Sequence, residues 1–123
     1  DPKAAKEFVQ ATNVDCLAVS IGTVHGLYKG TPKIRVDILK EINDLVGIPL
    51  VLHGGSGTPE EDLRACIQNG ISKINVNTEI SNNVMDETIK ILEGKKPHYS
   101  VLAIKQREAV KDVVKKYIDI YRR

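Results

Sequence analysis

Aromatic side chains are scarce in this sequence, at 4% of 123 residues, with a single phenylalanine and no tryptophan. A surface that stacks successive bases of a single strand needs a row of such rings, so that function class is excluded. An excess of one charge is also missing. Eighteen Lys and Arg face sixteen Asp and Glu, a net charge of +2. That is too little to grip a phosphate backbone, and no nucleic-acid partner is expected. No apolar run approaches the roughly 20 residues that span a bilayer, and no apolar signal segment opens the chain, so no membrane partner is expected.

Cysteine is limited to Cys16 and Cys66. They are far apart and each sits in an apolar pattern. We therefore expect two buried free thiols rather than a disulfide framework, and a reducing cytoplasmic setting. An initiator methionine is absent, and the first residues already read as a helix. The expectation is a chain that begins inside a longer protein.

What the sequence does contain is an alternation. Residues 2–12 predict a helix, with Asp1 as cap and Pro2 in the first turn. "DCLAVSIG" at 15–22 is a continuous apolar run and predicts a strand buried on both faces. A glycine-rich loop follows, then a helical stripe over 33–46 through Ile38, Leu39, Ile42, Leu45 and Val46. "IPLVLH" at 48–53 predicts a second buried strand. Thr58, Pro59 and Glu61 form the pattern of a capping box, and Asn69-Gly70 closes that helix. "SKINVN" at 72–77 predicts a third strand, Thr78 opens a helix over 79–93, and 100–121 predicts a last amphipathic helix. Its stripe runs through Leu102, Val110, Val113, Val114, Tyr117 and Tyr121.

Alternation with short loops implies parallel strands joined by right-handed crossovers. Three strands alone leave two bare edges and thinly covered faces. Half of a (β/α)8 barrel accounts for this better than a complete three-stranded domain, and a doubly wound sheet is the alternative.

Two histidines stand at strand ends, each followed by glycine: His25 in "GTVHG" and His53 in "VLHGG". Parallel neighbours lie about 4.8 Å apart, so imidazoles on successive strands can reach one ion, and zinc accepts histidine nitrogen. Either alone reads as an ordinary loop or core histidine, since no H-E-x-x-H pattern is present. His98, in "GKKPHYS", reads as exposed. Gly54 and Gly55 permit a close backbone approach. Their N–H groups, the Ser56 hydroxyl and the following helix N-terminus would suit an anion; the simpler alternative is a glycine-rich turn. "NVNTE" concentrates Asn75, Asn77 and Thr78 where a helix begins, which also suits an N-cap. Lys29 reads as a solvated loop lysine. Lys73 shares a strand face with Asn75. It is either a Schiff-base lysine or, more simply, a residue filling a barrel layer.

"AVSIGTVHGLYKG" and "PLVLHGGSGTPEEDLRACIQNGISKINVNTEI" closely resemble class II, zinc-dependent ketose-bisphosphate aldolases, a family acting on fructose and tagatose bisphosphates. The resemblance covers nearly the whole chain. It implies an α/β fold, a (β/α)8 TIM barrel, with residues 1–123 as the C-terminal part of one domain carrying the last three strands. It implies reversible aldol cleavage of a ketose 1,6-bisphosphate to dihydroxyacetone phosphate and glyceraldehyde 3-phosphate, a lyase reaction of carbohydrate metabolism. By matching motifs, His25 and His53 would be two of three zinc ligands. Gly26, Gly54, Gly55, Ser56, Asn75, Val76, Asn77 and Thr78 would hold the phosphate and hydroxyls of the substrate. Lys29 assists in some members. A monovalent cation, Na+ or K+, and a homo-oligomer are further family features.

The sequence departs from the family pattern in what it omits. The "LDHG"-like motif, which carries the third zinc histidine and the catalytic aspartate, is absent from these residues, as are the acidic strand-five region and the "DPRK"-like segment. The third ligand and the base are therefore expected on an N-terminal remainder of the barrel, the fragment alone is expected to be inactive, and Arg107 is left unassigned. The alternatives are a non-catalytic barrel subunit or binding module, and a Schiff-base aldolase using Lys73.

Overall fold

The computed structural model describes residues 1–24, 26, 30, 32–94 and 96–122. It divides into two compact units, Asp1–Val76 and Asn77–Arg123.

The first unit opens with helix α1, Pro2–Thr12. The Asp1 carboxylate accepts from the N–H groups of Lys3 at 2.9 Å and Ala4 at 3.4 Å, as the sequence predicts. Two backbone donors of the first turn are thereby satisfied. Asn13 ends the helix in the left-handed region at φ 52°, and its N–H returns to the Val9 carbonyl. Strand β1 (Leu17–Ala18), helix α2 (Val36–Val46), strand β2 (Leu50–Leu52), helix α3 (Glu60–Gln68) and strand β3 (Ile71–Ile74) follow. The expected element order is found, with shorter strands. Pairing continues past the regular ends: Val19 N–H donates to the Val51 carbonyl at 3.2 Å and Asn75 N–H to the Leu52 carbonyl at 3.0 Å.

The sheet is parallel, in the order β1-β2-β3. A register shift between Leu50 and Val51 sets Val51 opposite Lys73 and Leu52 opposite Ile74. Helix α2 packs on both α1 and α3, so the helices form one row. Successive crossovers of one hand, each to the next strand, lay helices on one side only. A doubly wound sheet reverses its strand order to cover both sides. This arrangement is therefore consistent with part of an α/β barrel.

The core lies between that row and the sheet. Ile21, Leu39, Leu50, Leu52, Leu63, Cys66 and Ile71 are all buried to 2% exposure or less. The opposite sheet face is different. Ala18, Ser20, His53 and Lys73 are exposed there. The expectation that 15–22 is buried on both faces is corrected: Val19 and Ile21 are buried, while Ala18 and Ser20 alternate with them into the open.

Three further expectations change. Cys16, just ahead of β1, is exposed. Helix α2 starts at Val36, with Arg35 as its cap residue. The Arg35 guanidinium is hydrogen-bonded to Asp37 and holds its carboxyl down at about 2. The capping box does not form. Pro59 takes the cap position of α3 without a side-chain bond, and the Thr58 hydroxyl donates instead to the Gly54 carbonyl at 3.1 Å.

The second unit is a pair of packed helices, α4 (Thr78–Gly94) and α5 (Tyr99–Tyr121). His98 is exposed as expected, and its ring nitrogen caps α5 by accepting from Ser100 N–H at 3.3 Å. Across the pair, the Glu79 carboxylate accepts from the Tyr117 hydroxyl and the Lys116 ammonium, both at 2.6 Å. The Asn83 amide donates to the Ala109 carbonyl at 2.9 Å. Ala109, Val113, Tyr117 and Ile120 form the buried stripe of α5, whereas Val110 and Val114 are 37% and 38% exposed. The stripe is thus rotated from the expected one. Burial of the Tyr121 hydroxyl, with Glu79 nearby, raises its pKa. Among the described residues, no helix is long and apolar enough to cross a membrane.

Burial, with the charge of Asp62 second, pushes the Cys66 thiol up to about 11. The folded protein holds this proton more tightly than the unfolded chain does. Its contribution to stability is therefore full below about 9 and is lost as pH rises towards 11. In the native protein at neutral pH, Cys66 should resist a thiol reagent until urea unfolds the chain. Prompt stoichiometric labelling of Cys66 without denaturant would contradict this packing.

Candidate active site

His53 follows β2 directly, and the chain then turns through Gly54 at φ 71°, a left-handed conformation that disfavours side chains. A Cβ at Gly54 would collide with the backbone carbonyl of Val24. The loops after β1 and β2 therefore touch backbone to backbone. At Gly55, a Cβ would come within 2.6 Å of Ile74 Cγ2 and 2.9 Å of the Asn75 carbonyl oxygen. The Gly55 N–H already donates to that carbonyl at 3.0 Å. Both glycines serve close packing of neighbouring strand ends.

This packing sets side chains in a row on the open sheet face. Lys73 Nζ donates to Asn75 Oδ1, and Asn75 Nδ2 lies 3.1 Å from His53 Nδ1. On the other flank, His53 and residues Ala18, Val19, Ser20 and Thr23 line a cavity of about 300 Å³. Ser56 and Thr58 are buried, at 3% and 7% exposure. The first turn of α3 carries Glu60, Glu61 and Asp62. These carboxylates suit the helix dipole and oppose an anion placed directly on that terminus.

The structure thus brings together His53, Gly54, Gly55, Ser56, Asn75 and Val76 in the first unit. Asn77 and Thr78 belong to the second, where the Asn77 carbonyl accepts from Ser81 N–H at 2.9 Å and Thr78 begins α4. Gly26 has φ 91°, and a Cβ there would meet none of the described residues within 4 Å. His25 and Lys29 lie outside the described residues. Arg107 pairs with Glu108 at 3.0 Å. Sequence reasoning missed Val24, Ser20 and Thr23. Ser20 was within reach of strand alternation from Ala18; the Val24 contact needed the loop path.

The residues match the family model for class-II fructose-bisphosphate aldolases over 1–123. The chain belongs to the class-II fructose-bisphosphate aldolase family. A fructose-bisphosphate aldolase of Geobacillus stearothermophilus is 56% identical over 79 residues, which are 64% of this chain and 28% of that protein. Among solved structures, the YdjI aldolase of Escherichia coli K12 superposes with a TM-score of 0.88 at 37% identity, covering 98% of this chain and 45% of that one. A putative fructose-1,6-bisphosphate aldolase of Coccidioides immitis gives 0.80 at 29% identity, covering 98% and 41%. The chain spans less than half the length of each of these relatives.

For a metal of the kind this family uses, the fit is partial. His53 offers an imidazole on the open face at a strand's C-terminal end. Among the described residues no three ligating side chains converge, so the coordination sphere is not complete within them.

Gly54→Ala and Gly55→Ala should each cost roughly 1–3 kcal/mol by straining the loop. Gly94→Ala, where a Cβ meets nothing within 4 Å, should be neutral or stabilising by about 0.4–1 kcal/mol. Urea midpoints compare the three; equal effects would show that the loop contacts are not tight.

Proposed function

We propose that residues 1–123 are the C-terminal part of a single (β/α)8 barrel domain that cleaves a ketose 1,6-bisphosphate, fructose or tagatose, reversibly and with zinc. The products are dihydroxyacetone phosphate and glyceraldehyde 3-phosphate. Family membership supports the reaction class. The observation that carries the site is the contact between Val24 and Gly54. These residues adjoin His25 and His53 in sequence, and His53 faces the uncovered side of the sheet.

In this reading His25 and His53 hold the zinc, with a third ligand on the N-terminal remainder of the barrel. When bound, the metal supplies a Lewis acid for the ketone oxygen, where negative charge develops on cleavage. The chain's own residues bind and orient. Gly26, Gly54, Gly55, Ser56 and the run Asn75, Val76, Asn77 and Thr78 take up the phosphate and hydroxyls of the three-carbon fragment. Binding energy from that remote phosphate aligns the reacting carbonyl. Because the Gly55 N–H is committed to Asn75, Gly55 contributes close approach rather than a donor. In this reading the base that deprotonates the adjacent hydroxyl comes, like the third ligand, from the N-terminal remainder of the barrel. A monovalent cation, Na+ or K+, beside the phosphate loops, a homo-oligomer and a cytoplasmic setting complete the proposal.

A Schiff-base mechanism through Lys73 is disfavoured, since its ammonium is engaged by Asn75. A binding module without turnover would keep the phosphate cradle and lack the base.

In the complete protein, chelation should abolish cleavage, zinc should restore it, and His53→Ala should lose both zinc and turnover. The isolated 123-residue chain should not turn over. Normal rates and stoichiometric zinc in His53→Ala would overturn the assignment, as would borohydride trapping of substrate on Lys73.

A further inference from the structure

We infer that Lys73 is a positioning residue: it fixes which end of the Asn75 amide faces His53, and thereby keeps the His53 Nδ1 free of its proton. The backbone of Asn75 is pinned on both sides. Its N–H donates to the Leu52 carbonyl, and its carbonyl accepts from the Gly55 N–H, each at 3.0 Å. The side chain is therefore delivered next to the imidazole whichever way the amide is turned.

A carboxamide has nearly the same shape after a half-turn, but its two ends are opposite in character. One end only donates and the other only accepts. Packing cannot choose between them; a third group must. Lys73, two residues earlier on the same strand face, carries an ammonium that can only donate. It takes Asn75 Oδ1, because the reverse would set donor against donor. The NH2 end is left to face His53 Nδ1 at 3.1 Å. That nitrogen must then accept, and the single proton of the neutral ring resides on Nε2. A metal ligand must present a lone pair. With its proton on Nε2, the ring would present the Nδ1 lone pair that a metal ligand needs.

Only this last consequence rests on the proposed zinc chemistry; the tautomer does not. Lys73 lies on the open sheet face, away from the core between the sheet and its helices, and Lys73→Arg controls for its packing. The test is a long-range proton–nitrogen correlation spectrum of metal-free, histidine-labelled protein containing these residues. It is recorded near pH 8.5, about two units above the ordinary imidazole value of roughly 6.5, with His53 assigned by its loss in His53→Gln. The wild type should show the Nε2–H tautomer alone. Lys73→Met should give a mixture, because the freed amide can present Oδ1, and Lys73→Arg should restore the single form. Asn75→Asp, which only accepts, should drive the proton to Nδ1. Nδ1–H in the wild type, or a tautomer indifferent to Lys73→Met, would overturn the inference whatever those variants do to turnover. Absence of zinc or cleavage would count against the proposed function and leave the tautomer result standing.

Discussion

The backbone of Asn75 is bound at both its polar groups by β2 and the loop after it: to the Leu52 carbonyl through its N–H, and to the Gly55 N–H through its carbonyl. Most of the site region depends on that clamp. It carries the parallel pairing one residue past the regular end of β3, brings the turn at Gly54 and Gly55 against the third strand, and leaves no room for a side chain at Gly55. Buried backbone polar groups are costly when unpaired, so these bonds also hold the His53 turn in register. The polar side chains on the open face then follow from strand parity alone.

That open face is the second constraint. Helices cover one side of the sheet, and the other carries Ala18, Ser20, His53 and Lys73 into the open. A closed parallel barrel places one such face inward and its active residues at the C-terminal rim. The polarity of this face matches a rim and interior completed by further strands. The two solved aldolases named above are each more than twice this length.

Much of this was legible in the sequence. The order of elements came from periodicity, the α1 cap from Asp1-Pro2, and the family from two glycine-rich motifs. What was not legible depended on distant partners. Thr58 has the spacing of a cap, yet its hydroxyl donates back to the Gly54 carbonyl and Pro59 takes the cap position, an outcome set by the path of the tight loop. Cys16 has an apolar neighbourhood in sequence and an exposed one at the sheet edge. Lys73 and Asn75 share a face by simple alternation. That their row ends on His53, 22 residues earlier, depends on a register shift beside Leu50 that no local pattern encodes.

The central claim is that His53 stands on the inner rim of a barrel and presents its imidazole to a divalent ion. A crystal structure of the complete polypeptide grown with zinc, with data collected at the zinc absorption edge, addresses it most directly. The account predicts an anomalous peak at about 2.0–2.1 Å from a ring nitrogen of His53, with His25 as a second ligand. A zinc peak bound elsewhere, or a His53 ring facing away from the ion, would contradict it.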